Sequence, residues 1–164
     1  MITGGTGVLG SLVARHLVTH HGIRHLLLLS RRGPDAPGAT QLHHQLTQLG
    51  ATPTITTCDT SNPQQLATAL ATIPPQHPLT GIIHTAGTLH DALLTNLTPQ
   101  HTHTTLQPKT HTAWHLHQLT QHTHLDFFIL FSSSAAVLGG PGQGNYAAAN
   151  AFLDALAQHR RDRG

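Results

Sequence analysis

Glutamate is absent from these 164 residues, and lysine, cysteine, tyrosine and tryptophan occur once each. Only 9% of the residues are charged, so uncharged Thr, Gln and His side chains must supply most of the polar surface. A single cysteine excludes an internal disulfide and any metal site built from several cysteines. The same scarcity makes the one lysine, Lys109, and the one tyrosine, Tyr146, candidates for a specific role.

Long apolar runs and clustered basic charge are missing as well. No stretch approaches the roughly 18 apolar residues of a membrane span, and no basic segment followed by an apolar one opens the chain. The net charge of +2 comes from eight Lys and Arg over six Asp, without a long basic stripe. We therefore expect a cytoplasmic protein of one ordinary domain, with no membrane and no nucleic-acid partner.

Apolar runs alternate with helical patterns, which predicts βαβ units around a parallel sheet. Strands are expected at residues 1–2, 26–29, 52–57, 79–84 and 125–131. Helices are expected at 7–20, 41–49, 64–71 and 145–163, and over 99–122 with an interruption at Pro108. The fold class is α/β with a doubly wound parallel sheet. Because the sheet starts inside its first strand and the chain stops after a helix, we expect an excerpt of a longer polypeptide, incomplete at both ends.

A glycine-rich turn connects the first strand to the first helix, with the sequence Thr3-Gly4-Gly5-Thr6-Gly7-Val8-Leu9-Gly10. Glycines in this pattern permit a tight turn, let the backbone approach a pyrophosphate, and bring helix and strand close together. The helix N-terminus then faces the anion. A purely structural turn is the alternative, but the flanking strand and helix favour a dinucleotide site.

The second strand ends in Ser30, Arg31 and Arg32, with no acidic residue nearby. An NAD site would carry an acidic side chain here for the ribose diol, whereas the 2′-phosphate of NADPH calls for arginine. The sequence therefore predicts NADPH, with solvated loop arginines as the alternative.

The next two strand ends supply further candidate contacts to the cofactor. Asp59, which follows Cys58 after the third strand, can accept a hydrogen bond from an adenine amine, or it can cap a helix. The fourth strand ends in a small turn that passes beside the cofactor or is a plain strand-to-helix turn. This turn contains His84, Thr85, Ala86 and Gly87.

The chemistry-bearing groups lie later in the chain. Tyr146 and Asn150 are four residues apart on the last helix and share one face, and Ser133 follows the fifth strand across a glycine-rich loop. A phenol can protonate a carbonyl oxygen while a hydride arrives from a nicotinamide, provided that a nearby cation makes it more acidic. Lys109 is the one lysine able to serve.

With these motifs in this order, the sequence resembles the catalytic part of the ketoreductase domain of a modular type I polyketide synthase. That domain belongs to the short-chain dehydrogenase/reductase superfamily and has a Rossmann-like fold. The resemblance covers essentially the whole chain and includes Leu106-Gln107-Pro108-Lys109 before Trp114. Most short-chain reductases have their lysine where this chain has Asn150, and the exchange is typical of polyketide ketoreductases.

The resemblance implies that Ser133 hydrogen-bonds the substrate carbonyl and that Tyr146 donates the proton. Lys109 would make the tyrosine more acidic, both Lys109 and Tyr146 would contact the cofactor, and Asn150 would order a relay water or support the lysine. The implied reaction is NADPH-dependent reduction of a β-ketoacyl thioester to a β-hydroxyacyl thioester. Its implied partners are an acyl carrier protein bearing a phosphopantetheine thioester and other synthase domains in the same chain, with residues 1–164 as the catalytic NADPH-binding subdomain.

Five positions bear on the stereochemical subtype. Leu89-His90-Asp91 is similar to the Leu-Asp-Asp segment of B-type ketoreductases, with His90 in its middle position. Leu138 stands where A-type domains have tryptophan, and Ala148 where epimerising B-type domains often have proline. The resemblance thus implies a non-epimerising B-type domain.

Two other functions remain as alternatives. One is a non-catalytic, nucleotide-binding or structural ketoreductase, as in C-type domains. The other is a metal-binding protein based on the 17 histidines, since His111 and His115 are at helical spacing with His101 and His103 nearby. The histidines are scattered among Thr and Gln without an acidic cluster, which favours a polar surface and no metal.

Overall fold

A computed structural model describes residues 1–163 and contains one five-stranded sheet. In chain order the strands are β1 (Ile2–Thr3), β2 (His25–Ser30), β3 (Thr52–Thr57), β4 (Gly81–His84) and β5 (Phe127–Leu130). They pair in the order β3-β2-β1-β4-β5, and every pair is parallel. The strand order reverses between β1 and β4, which is where ligands bind in sheets of this kind. The predicted fold class is confirmed.

Seven α-helices connect or flank these strands within residues 1–163. They are α1 (Val8–His21), α2 (Ala39–Gln48), α3 (Pro63–Ala71), α4 (Pro99–Leu106), α5 (Thr112–Thr120), α6 (Ala135–Leu138) and α7 (Gly144–Arg161). Short 3₁₀ turns cover Gly33–Asp35 and Leu94–Asn96. Over the described residues, no helix combines the length and apolarity needed to cross a bilayer.

The core lies on both faces of the sheet. On one face Leu28 and Ile83 pack with Val18 of α1 and Leu46 of α2. On the other face Leu29 and Ile82 pack with Leu66 of α3 and Leu116 of α5. Burial on both faces explains why β2 and β4 appear in the sequence as short continuous apolar runs.

The segment around Pro108 differs from the expected interruption. Helix α4 ends at Leu106 as proline predicts, but the chain continues directly through a π-helical turn, Gln107–His111, into α5. Proline has no N–H to donate, and the wider π-helical turn accommodates it, so that α4 and α5 form one continuous helical rod. The short helix α6, also absent from the sequence prediction, occupies part of the glycine-rich loop after β5.

Two glycines of the first turn bring β1, β2 and α1 into contact. A Cβ added at Gly10 would collide with the carbonyl oxygen of Gly4, and one at Gly5 would lie 2.8 Å from the Cβ of Leu28. These positions exclude any larger residue because backbone atoms fill the space.

We predict that Gly10→Ala destabilises the intact protein by about 1–3 kcal/mol, because the added methyl group overpacks against backbone that cannot move aside. Gly144→Ala is the matched control, since its Cβ would meet nothing closer than 3.8 Å. Denaturant unfolding of both variants checks this. Equal midpoints for Gly10→Ala and the unmutated protein would contradict it.

Candidate active site

A groove of about 530 Å³ opens at the carboxyl ends of β1 to β4. It contains eleven of the residues predicted to bind a cofactor, namely Gly4, Thr6, Gly7, Ser30, Arg31, Arg32, Cys58, Asp59, Thr85, Ala86 and Gly87. Leu29, Ala36, Thr60, Thr88 and Pro108 complete its lining. We call this the strand-end groove.

The backbone of the strand-end groove fits a dinucleotide. Gly4 has a φ of +68°, and a Cβ there would lie 2.9 Å from the backbone of Ala86, so only glycine permits this close approach across the groove. Gly7 caps α1 without a side-chain hydrogen bond, which leaves the N-terminus of that helix open to an anion. A pyrophosphate suits such a site.

The other predicted cofactor residues of the glycine turn do not line the strand-end groove. Thr3 is fully buried, Gly5 and Gly10 serve backbone packing, and Leu9 is half exposed outside the groove. Val8 borders a separate groove of about 580 Å³ between α1 and α2. Burial and backbone packing account for Thr3, Gly5 and Gly10, and cofactor contact by these five residues stays a prediction.

The two arginines are held at the rim by the turn that follows β2. The Ser30 hydroxyl accepts a hydrogen bond from Gly33 N at 3.0 Å. Gly33 has a φ of +51°, and a Cβ at this position would collide with Thr57. Both Arg31 and Arg32 are exposed, and neither guanidinium donates to a protein acceptor within residues 1–163. Their donors are therefore available to an anionic ligand.

Asp59 and Cys58 line the strand-end groove just after the end of β3. One carboxylate oxygen of Asp59 accepts from the backbone N–H and hydroxyl of Ser61, at 3.0 and 2.6 Å, so the carboxylate is oriented by its own loop. Burial and the nearby Asp59 charge raise the pKa of the Cys58 thiol to about 11. The thiol is thus protonated at neutral pH and contributes only its volume.

Lys109 projects from the π-helical turn into a buried position. Its ammonium donates to the carbonyl oxygen of Phe131 at 3.0 Å and to Oδ1 of Asn150 at 2.8 Å, and it lies 5.4 Å from the ring centroid of Tyr146. Burial lowers the pKa of Lys109, and the Asp154 carboxylate partly offsets this. An ammonium has three N–H donors, and these contacts use two of them.

Asn150 connects the lysine to the helix that carries the tyrosine. Its amide group is fully buried, donates to the carbonyl oxygen of Tyr146 at 2.8 Å, and accepts from Lys109 through its other end. The structure therefore brings Tyr146, Lys109 and Asn150 together, with Asn150 hydrogen-bonded to both of the other residues.

Ser133 follows β5 by three residues, in the loop that leads to α6. Its hydroxyl oxygen accepts from the backbone N–H of Ala135 at 3.2 Å, which leaves the hydroxyl hydrogen available to a ligand. The neighbouring Ser132 hydroxyl donates to the carbonyl oxygen of Asn150 at 3.3 Å and so joins β5 to α7.

His84 occupies a place that the sequence prediction missed. Its side chain is 1% exposed and lies outside the strand-end groove, beneath the turn predicted to pass beside the cofactor. Nε2 lies 3.1 Å from the carbonyl oxygen of Lys109, and Nδ1 lies 2.6 Å from the hydroxyl of Thr3. A carbonyl can only accept, so Nε2 carries the proton and Nδ1 accepts from Thr3. Burial, with the Lys109 charge, lowers the pKa of His84 to about 4.

The segment with the predicted stereochemical residues lies against the start of α7. Asp91 accepts from Gln143 at 3.1 Å, and Asn145, a buried residue that the sequence prediction also missed, donates to the carbonyl oxygen of His90 at 3.0 Å. Leu89 and Leu138 are exposed, at 58% and 82%. Asp91 and His90 are thus hydrogen-bonded to residues within three positions of Tyr146 in the sequence.

The histidines meet mainly as ring pairs. The rings of His25 and His77 stack at 3.6 Å, and those of His90 and His101 lie 4.2 Å apart. Among residues 1–163, no three His, Cys, Asp or Glu side chains converge as they would around a metal ion.

The fold and the grouping of Tyr146, Lys109 and Asn150 beside the strand-end groove define a protein of the short-chain dehydrogenase/reductase type. A crystal structure of a short-chain dehydrogenase/reductase from Vibrio parahaemolyticus shares the fold, with a TM-score of 0.81 at 16% identity over 99% of this chain and 76% of that one. The KR domain family model matches residues 1–164. The chain belongs to this family, the ketoreductase domains of modular polyketide synthases.

Individual relatives agree with this family. Polyketide synthase GfsB of Streptomyces halstedii is 58% identical over 161 residues, which are 98% of this chain and 3% of that protein. A structure of A-type ketoreductases from a modular polyketide synthase has a TM-score of 0.94 at 51% identity, covering 98% of this chain and 34% of that one. The chain therefore spans a small part of the curated synthase and about a third of the solved ketoreductase.

The low pKa of His84 predicts a specific pH dependence of stability. Because the unfolded chain binds this proton at the ordinary value of 6.5 and the folded chain only near 4, the free energy of unfolding should fall as the pH drops through that window. The slope for one proton is about 1.4 kcal/mol per pH unit. His84→Gln, whose amide offers a donor and an acceptor without titrating, should reduce the slope by one proton in denaturant titrations. An unchanged slope would rule out this assignment.

Proposed function

We propose that this chain catalyses the NADPH-dependent reduction of a β-ketoacyl thioester to a β-hydroxyacyl thioester. The observation that carries the proposal is the approach of the Lys109 ammonium to Tyr146, with Asn150 holding the lysine beside the strand-end groove. Bound NADPH supplies the hydride for the carbonyl carbon. The residues of the chain then have to hold the carbonyl and deliver one proton to its oxygen.

Tyr146 is the proton donor in this proposal. When the phenol gives its proton to the carbonyl oxygen, a phenolate remains, and the Lys109 charge 5.4 Å from the ring stabilises that anion. Burial excludes much of the water that would otherwise screen the interaction. The third N–H of the ammonium remains for the phenolate or a cofactor hydroxyl.

Ser133 holds the substrate carbonyl. Its hydroxyl oxygen accepts from Ala135 N, which leaves the hydroxyl hydrogen to be donated to the carbonyl oxygen. A donor at the oxygen where negative charge develops lowers the barrier.

Arg31 and Arg32 select NADPH over NADH. Both guanidiniums are exposed at the rim of the strand-end groove, where a 2′-phosphate on the adenosine ribose would meet them. Asp59 follows the neighbouring strand β3, with its carboxylate oriented toward its own loop by Ser61.

We infer that the substrate reaches the site on the phosphopantetheine arm of an acyl carrier protein. This inference is supported by the family to which the chain belongs and by the polyketide synthases that it resembles. The chain covers only 3% and 4% of the length of two of those synthases. By the same reasoning, residues 1–164 are the catalytic NADPH-binding subdomain of a larger cytoplasmic polypeptide that carries other synthase domains.

For the subtype we propose a non-epimerising B-type ketoreductase. Asp91 and the absence of tryptophan at Leu138 support this assignment. Similarity over the whole chain does not decide the subtype, because solved structures described as A-type and as A1-type are 51% and 50% identical to it. Chiral analysis of the β-hydroxy product distinguishes the types.

Replacing Arg31 and Arg32 together by alanine should weaken NADPH binding far more than NADH binding, because each lost charge-assisted hydrogen bond is worth about 1.5–3 kcal/mol. Calorimetric titration of the intact protein with both cofactors measures this. Arg24→Ala, which removes an exposed cation elsewhere, is the control. Equal losses for the two cofactors would exclude a 2′-phosphate site.

Tyr146→Phe should lower kcat by about 10²- to 10⁴-fold while NADPH affinity stays close to that of the parent protein, since only the transferable proton is removed. Turnover of a β-ketoacyl thioester by the intact ketoreductase provides the measurement. Ser134→Ala, a loop hydroxyl, serves as the matched control. A Phe variant that reduces substrate at the parent rate would refute the mechanism.

A further inference from the structure

Within residues 1–163, His84 is the one buried ring that hydrogen-bonds both the glycine turn, through Thr3, and the π-helical turn, through Lys109. Thr3, which anchors Nδ1, immediately precedes Gly4 of the strand-end groove and is itself fully buried. Lys109, whose carbonyl oxygen accepts from Nε2, carries the ammonium beside Tyr146. The ring thus joins the base of the groove to the backbone of the lysine.

The carbonyl of Lys109 lies in the irregular part of the helical rod. In the π-helical turn the N–H of Thr112 points to the carbonyl oxygens of both Gln107 and Lys109. Nε2 of His84 adds a side-chain donor to the Lys109 oxygen at 3.1 Å. A hydrogen bond from outside the rod therefore reaches the backbone of the lysine at this turn.

The direction of the two hydrogen bonds fixes the ring. Nε2 donates and Nδ1 accepts, so the ring is neutral and in one tautomer. Rotating the ring by 180° would put carbon atoms in the places of both nitrogens and remove both hydrogen bonds. Thr3 is held in turn by Thr85. The carbonyl oxygen of Thr3 accepts from the Thr85 hydroxyl at 2.8 Å and from the Thr85 backbone N–H at 3.1 Å. The series of hydrogen bonds runs from Thr3 on β1 through His84 to the backbone of Lys109.

We propose that His84 is a positioning residue, which holds the backbone of Lys109 from a ring anchored on Thr3 and thereby keeps the ammonium against Asn150 and beside Tyr146. The inference rests on the reductase function proposed above. It assigns to His84 no contact with substrate or cofactor. Its role is exerted through Lys109 alone.

The test compares three variants of the intact ketoreductase. His84→Leu removes both hydrogen bonds, whereas His84→Gln keeps one donor and one acceptor at a spacing similar to that of the ring. Leu66→Ala removes a fully buried side chain of α3, away from the lysine, and controls for loss of stability. All three are assayed well below their melting temperatures.

We expect His84→Leu to lower kcat by about tenfold or more, since small displacements of a catalytic group have effects of this size. KM and NADPH affinity should change much less, and amide exchange over residues 107–112 should accelerate. His84→Gln should recover most of kcat. Leu66→Ala should melt at a lower temperature with kcat unchanged.

Should His84→Leu fail to fold, the comparison of Thr3→Val with Thr3→Ser tests the hydroxyl that anchors His84 Nδ1. Only the valine variant should lose activity.

Parent-level kcat in His84→Leu, or equal losses in the Leu and Gln variants, would overturn the proposal. So would a kcat loss in Leu66→Ala as large as that in His84→Leu. If the parent protein bound NADPH but reduced no thioester, the proposed function would fail instead. Amide exchange over residues 107–112 would then still decide whether His84 holds the turn, because that measurement needs no turnover.

Discussion

A lysine ammonium that is 5% exposed must have acceptors around it, because an unpaired buried charge is strongly unfavourable. In this chain the carbonyl oxygen of Phe131 and the amide oxygen of Asn150 meet that need. The first lies at the end of β5 and the second on α7, so satisfying the charge fixes a strand end and a helix relative to the π-helical turn. The geometry around Tyr146 follows from this one requirement.

The glycine turn divides its residues between two tasks. Gly4 and Gly7 border the strand-end groove and leave room for a ligand, while Gly5 and Gly10 are glycines because strand and helix backbones press against them. A motif of this kind therefore specifies both a fold and a site. The sequence pattern alone does not separate the two tasks, since all four residues lack a side chain.

Periodicity predicted the regular elements well. The β-branched run at Thr52–Thr57 is a strand with the expected bounds, and the helical spacing of Tyr146 and Asn150 places both beside Lys109. The place of His84 could not be predicted, because its partners, Thr3 and the carbonyl of Lys109, are distant in the chain and one of them is backbone. The π-helical turn escaped prediction because proline signals an irregularity without specifying which one.

The extra residue in the Gln107–His111 turn also has a consequence for helix packing. One residue advances an α-helix by about 100°, so inserting one rotates the apolar stripe of everything after it relative to everything before it. Helix α4 accordingly packs against α7, whereas α5, on the same rod, also turns a face toward α3 and the sheet. A single continuous helical rod thus packs against two differently oriented neighbours. The change in the direction of its apolar face occurs at Pro108, which lines the strand-end groove, and Lys109, which lies beside Tyr146.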